Sequence, residues 1–302
     1  MTALGYDKNS ILGFAQLLCA DDTAGTYTRS YSLLNGAFLD GQPRPTDVSL
    51  DEFKAVFIHE FGHMLGLDHS QINLNCLNEP SCSADDLAGL PIMFPILLDD
   101  ATSNLKTDDI AALSALYPEN HFYTTTGRIQ GRVMFSDGKT PAQGYNVIAR
   151  KVGELRRTAV SCVSGFLFTG GAGNPLVPLA GNGSRQDNYS FYGSRDPALI
   201  GFYDIPGLPS GNYKIEVEPI NFSGLYPFIE SSGLGPIGSE FSFQFSMPGT
   251  CNPQFLKFPS SPGDSCSNFT EIVVQAGETV NTNTDVILLG TPSRFDAWED
   301  EP

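Results

Sequence analysis

Residues 59–70 read HEFGHMLGLDHS, and this stretch decides how the first part of the chain is interpreted. His59 and His63 are four residues apart, so on a helix both imidazoles lie on one face, one turn from each other. This spacing lets two ring nitrogens reach one tetrahedral zinc ion at about 2.0–2.1 Å. Gly66 can end the helix in a left-handed conformation, after which His69 returns as a third ligand. Three protein ligands leave one position for water, which is typical of a catalytic rather than a structural zinc site.

Glu60 directly follows the first histidine, where its carboxylate can contact a metal-bound water rather than the metal. The alternative interpretation is an amphipathic core helix that carries its histidines by chance. The chain has 4 histidines in 302 residues, and three of them fall in this one pattern together with the glutamate and the glycine. The extended pattern H-E-x-x-H-x-x-G-x-x-H is more specific than H-E-x-x-H alone, and it favours the metal site.

With these residues in place, the first part of the chain resembles the metzincin metalloproteases, and within them the matrixin-like branch. The extended motif matches at every fixed position, and Ser70 after the third histidine fits this branch. Residues 91–95, PIMFP, resemble the family's turn with a methionine under the zinc, which gives Met93 that structural role. Residues 105–118 resemble the last helix of the matrixin domain. The resemblance covers residues 11–117.

The resemblance implies an α+β catalytic domain that acts as a zinc-dependent endopeptidase on polypeptide substrates. It makes His59, His63 and His69 the ligands of one zinc ion. It also makes Glu60 the residue that assists the attack of the zinc-bound water on the scissile peptide bond. A calcium requirement stays open, because the sequence has no clear aspartate-rich calcium loop.

Residues 11–18, ILGFAQLL, predict a β-strand upstream of the zinc motif. In matrixins the segment before the active-site helix includes an edge strand that lines the cleft. Four residues here resemble it: Leu12, Gly13, Phe14 and Ala15. Such a strand can bind an extended peptide by main-chain hydrogen bonds. The alternative is an ordinary strand of the sheet.

The flanks of the zinc motif carry further expectations. Ser49 and Glu52 form the pattern of a capping box before a helix predicted over residues 50–65. An inserted loop over residues 71–90 is expected to reshape one wall of the cleft. Residues 91–98 are expected to line the pocket for the substrate residue that follows the cleaved bond.

The last helix of the first domain is predicted to begin at a threonine cap. Thr107 can cap it, with Asp108 and Asp109 at its positive end. The family also suggests that one of these aspartates braces the methionine turn. Neither aspartate is expected to be catalytic.

Composition excludes several classes of protein. The net charge of −17, with 17 Lys and Arg against 34 Asp and Glu, argues against binding to nucleic acid or to an anionic membrane surface. The sequence has no run of 18 apolar residues, so no transmembrane helix is expected. A hydrophobic share of 41% is enough to build real cores.

The cysteines indicate an oxidising compartment. Two pairs of cysteines bracket short loops and are predicted to close them with disulfide bonds: Cys76 with Cys82, and Cys251 with Cys266. Cys19 and Cys162 have no obvious partner, so the connectivity stays open and so does a reduced state. We expect a secreted protein whose export signal is absent from this chain, because residues 1–10 lack the features of a signal peptide.

From residue 127 onwards, short β-rich segments alternate with Gly, Pro and Asn turns, which predicts a β-sandwich. The order of residues 128–150 and 201–217 resembles the carboxypeptidase regulatory-like domain, a sandwich of the transthyretin or Ig-like kind. The sequence of this half contains no metal cluster, triad or phosphate loop. We expect it to position the enzyme, or to bind a polymer or protein ligand.

The predicted organisation has four parts: a matrixin-like domain over 1–118, a linker over 119–126, the sandwich over 127–290 and an acidic tail over 291–302. A matrixin domain normally has further strands and a long helix before the cleft edge, whereas only ten residues precede Ile11. The domain is therefore expected to lack its N-terminal part, either because the chain is a fragment or because a partner completes it.

Two other functions are alternatives to the zinc endopeptidase. One is a secreted, non-catalytic binding or adhesion protein with a vestigial protease domain. A degenerate site should have lost a ligand or the glutamate, and here none is missing. The other is a gluzincin-type peptidase, in which a distant glutamate is the third ligand, and His69 argues against it.

Overall fold

The structure is a computed structural model that describes residues 9, 11–21, 26–43, 45–70, 72–77, 82–98, 103–134, 138–139, 141–142, 145–165, 198–199, 201–219, 254–255, 269–282 and 286–287. These residues combine helices with a two-stranded, a four-stranded and a five-stranded sheet. The mixed helix and sheet content agrees with the prediction of an α+β part followed by a β-rich part. Among the described residues, no helix is both long and apolar enough to cross a membrane.

The first part, the N-terminal module, opens with an antiparallel ribbon of β1 (Gly13–Asp21) and β2 (Thr26–Leu34). Helix α1 (Leu50–Met64) contacts both strands. The predicted capping box is confirmed, because Ser49 Oγ accepts a hydrogen bond from Glu52 N and the Glu52 carboxylate accepts one from Ser49 N. The ribbon and the capped helix form the frame on which the histidines are placed.

The other described elements of the N-terminal module are short: 3₁₀ helices over Gly36–Leu39 and Leu74–Leu77, α2 (Ala84–Ala88), α3 (Thr107–Leu116) and α4 (Phe122–Thr125). The disulfide predicted between Cys76 and Cys82 is present and joins the Leu74–Leu77 helix to the residue just before the N-cap of α2. The other predicted pair, Cys251 with Cys266, lies outside the described residues.

The start of α3 differs from the prediction. Thr107 is the first helical residue rather than the cap, and Lys106 is the N-cap residue. The reason is that Asp109, in the first turn, reaches back and accepts a hydrogen bond from Lys106 N at 2.7 Å. Asp109, the third helical residue, thus bonds the backbone N–H of the N-cap residue, as the third residue of a capping box does.

In the second part, the β-module, the described residues form nine strands: β3 (Gly127–Met134), β4 (Tyr145–Lys151), β5 (Ala159–Val163), β6 (Phe202–Leu208), β7 (Gly211–Pro219), β8 (Gln254–Phe255), β9 (Ile272–Val274), β10 (Thr279–Asn281) and β11 (Val286–Ile287). In one sheet β3 pairs with β6, β10 and β11, and in the other β4 lies between β5 and β7. Side chains from both sheets share one buried core, which includes Ile129, Val147, Tyr203 and Tyr213. The arrangement is sandwich-like.

The two modules share packing. Ala111 of α3 belongs to the core of the β-module, and α3 contacts both β5 and β6. Gly207 has a φ of 78°, and a Cβ there would lie 2.6 Å from the Ala111 Cβ. A side chain at Gly207 would therefore push the two modules apart.

Candidate metal centre

The three histidines of the zinc motif converge on one point. His63 Nε2 lies 3.1 Å from His59 Nε2 and 3.2 Å from His69 Nε2. Nitrogens bound to one tetrahedral zinc ion at about 2.0–2.1 Å are separated by about 3.3–3.4 Å, so these distances fit a shared ion. The group could hold a metal ion.

The opposite ring nitrogens fix how two of the rings are oriented. His59 Nδ1 lies 2.7 Å from the Ile92 carbonyl oxygen, and His63 Nδ1 lies 2.9 Å from the Leu67 carbonyl oxygen. A carbonyl can only accept, so Nδ1 donates in both rings and Nε2 keeps its lone pair for a metal. Burial lowers the pKa of His59 to about 3, which keeps this imidazole neutral.

The third histidine is returned to the site by the end of α1. Gly66 has a φ of 95°, as its predicted left-handed conformation requires. Leu67 N donates to Gly62 O at 3.0 Å, which closes the helix end. Beyond the turn, Ser70 N donates to the Met93 carbonyl at 2.9 Å. The segment that carries His69 is thus tied to the helix on one side and to the methionine turn on the other.

The methionine turn lies directly below the histidine helix. Met93 is 2% exposed, and a Cβ added at Gly62 would lie 2.4 Å from its Sδ. The Asp109 carboxylate accepts hydrogen bonds from Ile92 N at 2.9 Å and from Met93 N at 3.1 Å. Asp109 is therefore the aspartate that braces this turn, and it also binds the N-cap of α3.

Glu60 lies beside the histidines and is 6% exposed. Its Oε2 has no hydrogen-bond partner among the described residues. Burial raises the pKa of the carboxyl to about 7. On the facing strand β1, a Cβ at Gly13 would come within 2.9 Å of Glu60 Oε1, so the absence of a side chain there leaves room for the carboxylate. A buried oxygen without a partner is what a site for an additional ligand or water provides.

A cleft of about 440 Å³ joins these features. It is lined by the three histidines, Glu60, and the four residues predicted as the cleft-edge strand: Leu12, Gly13, Phe14 and Ala15. Leu12 directly precedes β1, which within the described part of the chain pairs only with β2, so its other edge is open to the cleft. Met93 lies beneath the site and does not line the cleft. The predicted site residues thus come together around one cavity.

The far wall of the cleft is mostly apolar. Residues 91–97 supply much of it, with the exception of Met93, and Leu87 and Leu90 of the inserted loop complete it. Lys106 also lines the cleft, and nothing in the sequence around it distinguishes it from a surface lysine. The inserted loop does contribute to one wall, as its position in the sequence predicts.

Comparison with known proteins assigns no family to the chain. No family model matches it, and no curated protein matches it. A minor pilin, GBS52 of the gram-positive pathogen Streptococcus agalactiae, is similar over 56% of this chain at 12% identity and a TM-score of 0.21. The match spans 47% of the pilin chain, which is about half its length. A likeness this weak defines neither the fold nor the function of this protein.

Proposed function

We propose that this chain is a zinc-dependent endopeptidase whose N-terminal module is of the metzincin type and resembles the matrixins. One observation carries the proposal. His63 Nε2 lies 3.1 Å from His59 Nε2 and 3.2 Å from His69 Nε2. Beside them, in a cleft bordered by the open edge of β1, lies the buried Glu60, whose Oε2 has no hydrogen-bond partner within the part of the chain that the structure describes.

The donor set suits zinc. His59, His63 and His69 offer three imidazole nitrogens, two of them oriented by backbone carbonyls, and imidazole is a preferred zinc ligand. Three protein ligands leave a coordination position for water and substrate. A zinc ion bound there would supply Lewis-acid activation of water and of the peptide carbonyl.

Glu60 is the residue to which we assign proton transfer. Its Oε2 is buried beside the histidines and has no competing partner among the described residues. From there the carboxylate can take the proton of the attacking water and deliver it to the nitrogen of the leaving amine. The bare backbone of Gly13 leaves room for this carboxylate, because a Cβ there would lie 2.9 Å from Glu60 Oε1.

The substrate is an extended polypeptide in this proposal. The edge strand, residues 12–15, offers main-chain groups along the cleft, and a peptide can add to such an edge as a further strand. The apolar wall formed by Leu87, Leu90 and residues 91–97 suits a hydrophobic side chain just after the cleaved bond.

Two further observations support the location that we propose for the enzyme and the role that we propose for its β-module. The Cys76–Cys82 disulfide fits secretion into an oxidising compartment. The sandwich-like β-module resembles carboxypeptidase regulatory-like domains in its sequence order, and its role in this proposal is to position the enzyme or to bind a polymer or protein ligand.

The test combines bound zinc per chain with cleavage of casein, an unstructured protein, with and without chelator. We expect one zinc per chain and cleavage that the chelator abolishes. The matched variant is Glu60→Gln, which should keep its zinc and lose about 10²–10⁴-fold in cleavage rate. Full activity in zinc-loaded Glu60→Gln would disprove the role of the glutamate. Zinc binding without cleavage by the native chain would favour the binding or adhesion protein.

A further inference from the structure

Asp108 of α3 links the two modules through its carboxylate. The side chain is 6% exposed. Its Oδ2 accepts a hydrogen bond from Ser70 Oγ at 2.6 Å, and its Oδ1 accepts one from Ser161 N at 2.7 Å. Ser161 Oγ approaches the same Oδ1 at 3.2 Å. One buried carboxylate thus joins the residue that follows His69 to strand β5.

The contact on the β5 side is a backbone contact at a sheet edge. Within the described residues, β5 pairs only with β4, so its second edge presents backbone groups that the sheet does not use. The Ser161 N–H belongs to this edge and is directed at Asp108. A buried N–H needs an acceptor, so the position of β5 and the position of α3 depend on each other.

The contact on the other side fixes the segment of the third histidine. Ser70 is 7% exposed, and besides the hydrogen bond to Asp108 its N–H is bonded to the Met93 carbonyl. Its Oγ also lies 3.4 Å from Ile72 N as an acceptor. Since Ser70 directly follows His69, a displacement of its side chain would carry the third imidazole with it.

A second contact extends the same interface to the cleft wall. Asn73, in the inserted loop, is 1% exposed; its Nδ2 donates to the Arg156 carbonyl at 2.8 Å and its Oδ1 accepts from Arg150 Nη1 at 2.9 Å. A Cβ at Gly89 would lie 1.9 Å from the same Arg156 carbonyl oxygen. The loop that brings Leu87 to the cleft is therefore packed against the β4–β5 connection.

We propose that strand β5 is a structural part of the metal centre, and that Asp108 is a positioning residue which holds His69 in place through Ser70. This rests on the proposed metal centre, but not on peptide cleavage. The β-module then does more than localise the enzyme, since its edge strand sets the geometry of one of the three ligands.

Three variants separate the contacts. Asp108→Ala removes both hydrogen bonds, whereas Asp108→Asn keeps an oxygen for Ser161 N and places an amide against Ser70 Oγ. Ser161→Pro removes the N–H that donates to Asp108 together with the Ser161 hydroxyl, so its difference from Ser161→Ala isolates the N–H. Proline is tolerated where an edge strand's N–H points away from its neighbour. Ser161→Ala is the matched control, because it keeps that N–H and loses only the weaker hydroxyl contact.

Three measurements are made on the full chain: zinc affinity by competition with a chelator, the absorption spectrum of the cobalt(II)-substituted protein, and hydrogen exchange of the metal-free protein. We expect Asp108→Ala and Ser161→Pro to bind zinc about tenfold more weakly, the low end of the range for outer-shell partners of a metal site. The cobalt spectrum should change, and exchange should rise in residues 67–73 but not in α1. Asp108→Asn should recover most of the affinity, and Ser161→Ala should stay within about twofold.

The outcomes are distinct. Zinc affinities within about twofold of native for both Asp108→Ala and Ser161→Pro would overturn the positioning role. Weaker binding in Asp108→Ala alone would remove β5 from the metal centre and overturn it as well. If Asp108→Ala does not fold, the pair Ser161→Pro and Ser161→Ala decides. If the native chain binds zinc but cleaves nothing, the peptidase proposal is refuted, and the zinc affinities of the variants still test the positioning role of Asp108. If the native chain does not bind zinc, both proposals are refuted.

Discussion

The proposed metal centre would draw its ligands from two regions that are held in different ways. His59 and His63 lie on α1, where helix periodicity alone places them one turn apart. His69 lies in a segment outside regular secondary structure, and that segment is held by partners from distant parts of the chain: Met93, Asp108 and, through Asp108, Ser161. The backbone positions of the first two ligands are thus fixed by local structure, although the Ile92 carbonyl orients the His59 ring, and the backbone position of the third is fixed by tertiary packing.

The two kinds of support differ in how well they keep a ligand in place when distant contacts are lost. A capped helix keeps its ligand pair whenever it forms, because the pair needs no long-range contact to be in register. The third ligand depends on two modules being docked. We therefore expect damage to distant contacts to act on His69 first, and changes within α1 to act on the whole site.

The largest effect should come from removing the third ligand itself. His69→Ala should weaken zinc binding by more than about 100-fold, beyond the range for outer-shell partners, because one of three protein ligands is lost. Competition with a chelator measures this. The matched control is His121→Ala, since the fourth histidine is exposed at the start of α4 and should leave the affinity unchanged. Zinc binding that survives in His69→Ala would mean that another residue is the third ligand, as in a gluzincin.

A second effect should appear in the pH dependence of stability. Burial raises the pKa of Asp108 to about 6 from an ordinary 3.8, against the hydrogen bonds from Ser70 and Ser161, and the charge of Asp109 adds to the rise. Between about pH 4 and pH 6 the folded chain therefore binds more protons at this group than the unfolded chain does. Its contribution to stability falls as pH rises through this window, by up to about 3 kcal/mol.

Urea unfolding of the metal-free native chain and of Asp108→Asn, at several pH values, measures the contribution of the Asp108 carboxyl together with its coupling to the charge of Asp109. The free-energy difference, native minus Asp108→Asn, should fall from pH 4 to pH 6 and stay level above. Cys162 on β5 does not interfere, because burial raises the pKa of its thiol to about 12. A difference that rises with pH would show that the hydrogen bonds favour the ionised carboxylate more than burial opposes it.

The sequence predicts the locally held region well and the tertiary region only in outline. The capping box at Ser49 and the left-handed Gly66 are set by short-range chemistry, and both are found as predicted. The placement of the β-rich half after residue 127 also follows from its turns. The sequence limits the aspartate that braces the methionine turn to Asp108 or Asp109, and only the structure shows that it is Asp109.

The contacts between the two modules could not be predicted from the sequence. Asp108 meets Ser161, which lies 53 positions later, and Arg150 meets Asn73, which lies 77 positions earlier. No local pattern encodes such a pair, because each partner alone is compatible with a helix cap or a strand position. For the same reason Thr107 was expected as a cap: the competing reach of Asp109 depends on how α3 docks on the methionine turn.

The smallest expected effect tests whether the packing of α1 on the methionine turn influences the two histidines that α1 carries. Gly62→Ala should destabilise the fold by about 1 kcal/mol, since an added Cβ would lie 2.4 Å from the buried Met93 Sδ and 3.2 Å from its Cε. Overpacking costs about 1–3 kcal/mol, and the better helix propensity of alanine offsets about 1 kcal/mol of it. Thermal unfolding of the zinc-free and zinc-loaded chains measures the change.

The control for this substitution is Gly36→Ala, in the 3₁₀ helix over Gly36–Leu39, where an added Cβ meets nothing within 4 Å. It should leave the unfolding temperature unchanged or slightly higher. If Gly62→Ala is as stable as the control, Met93 yields without cost and α1 holds its two ligands by local structure alone. If it is less stable and also binds zinc more weakly, the methionine turn restrains the helix-borne ligands too, and the contrast between the two regions is one of degree.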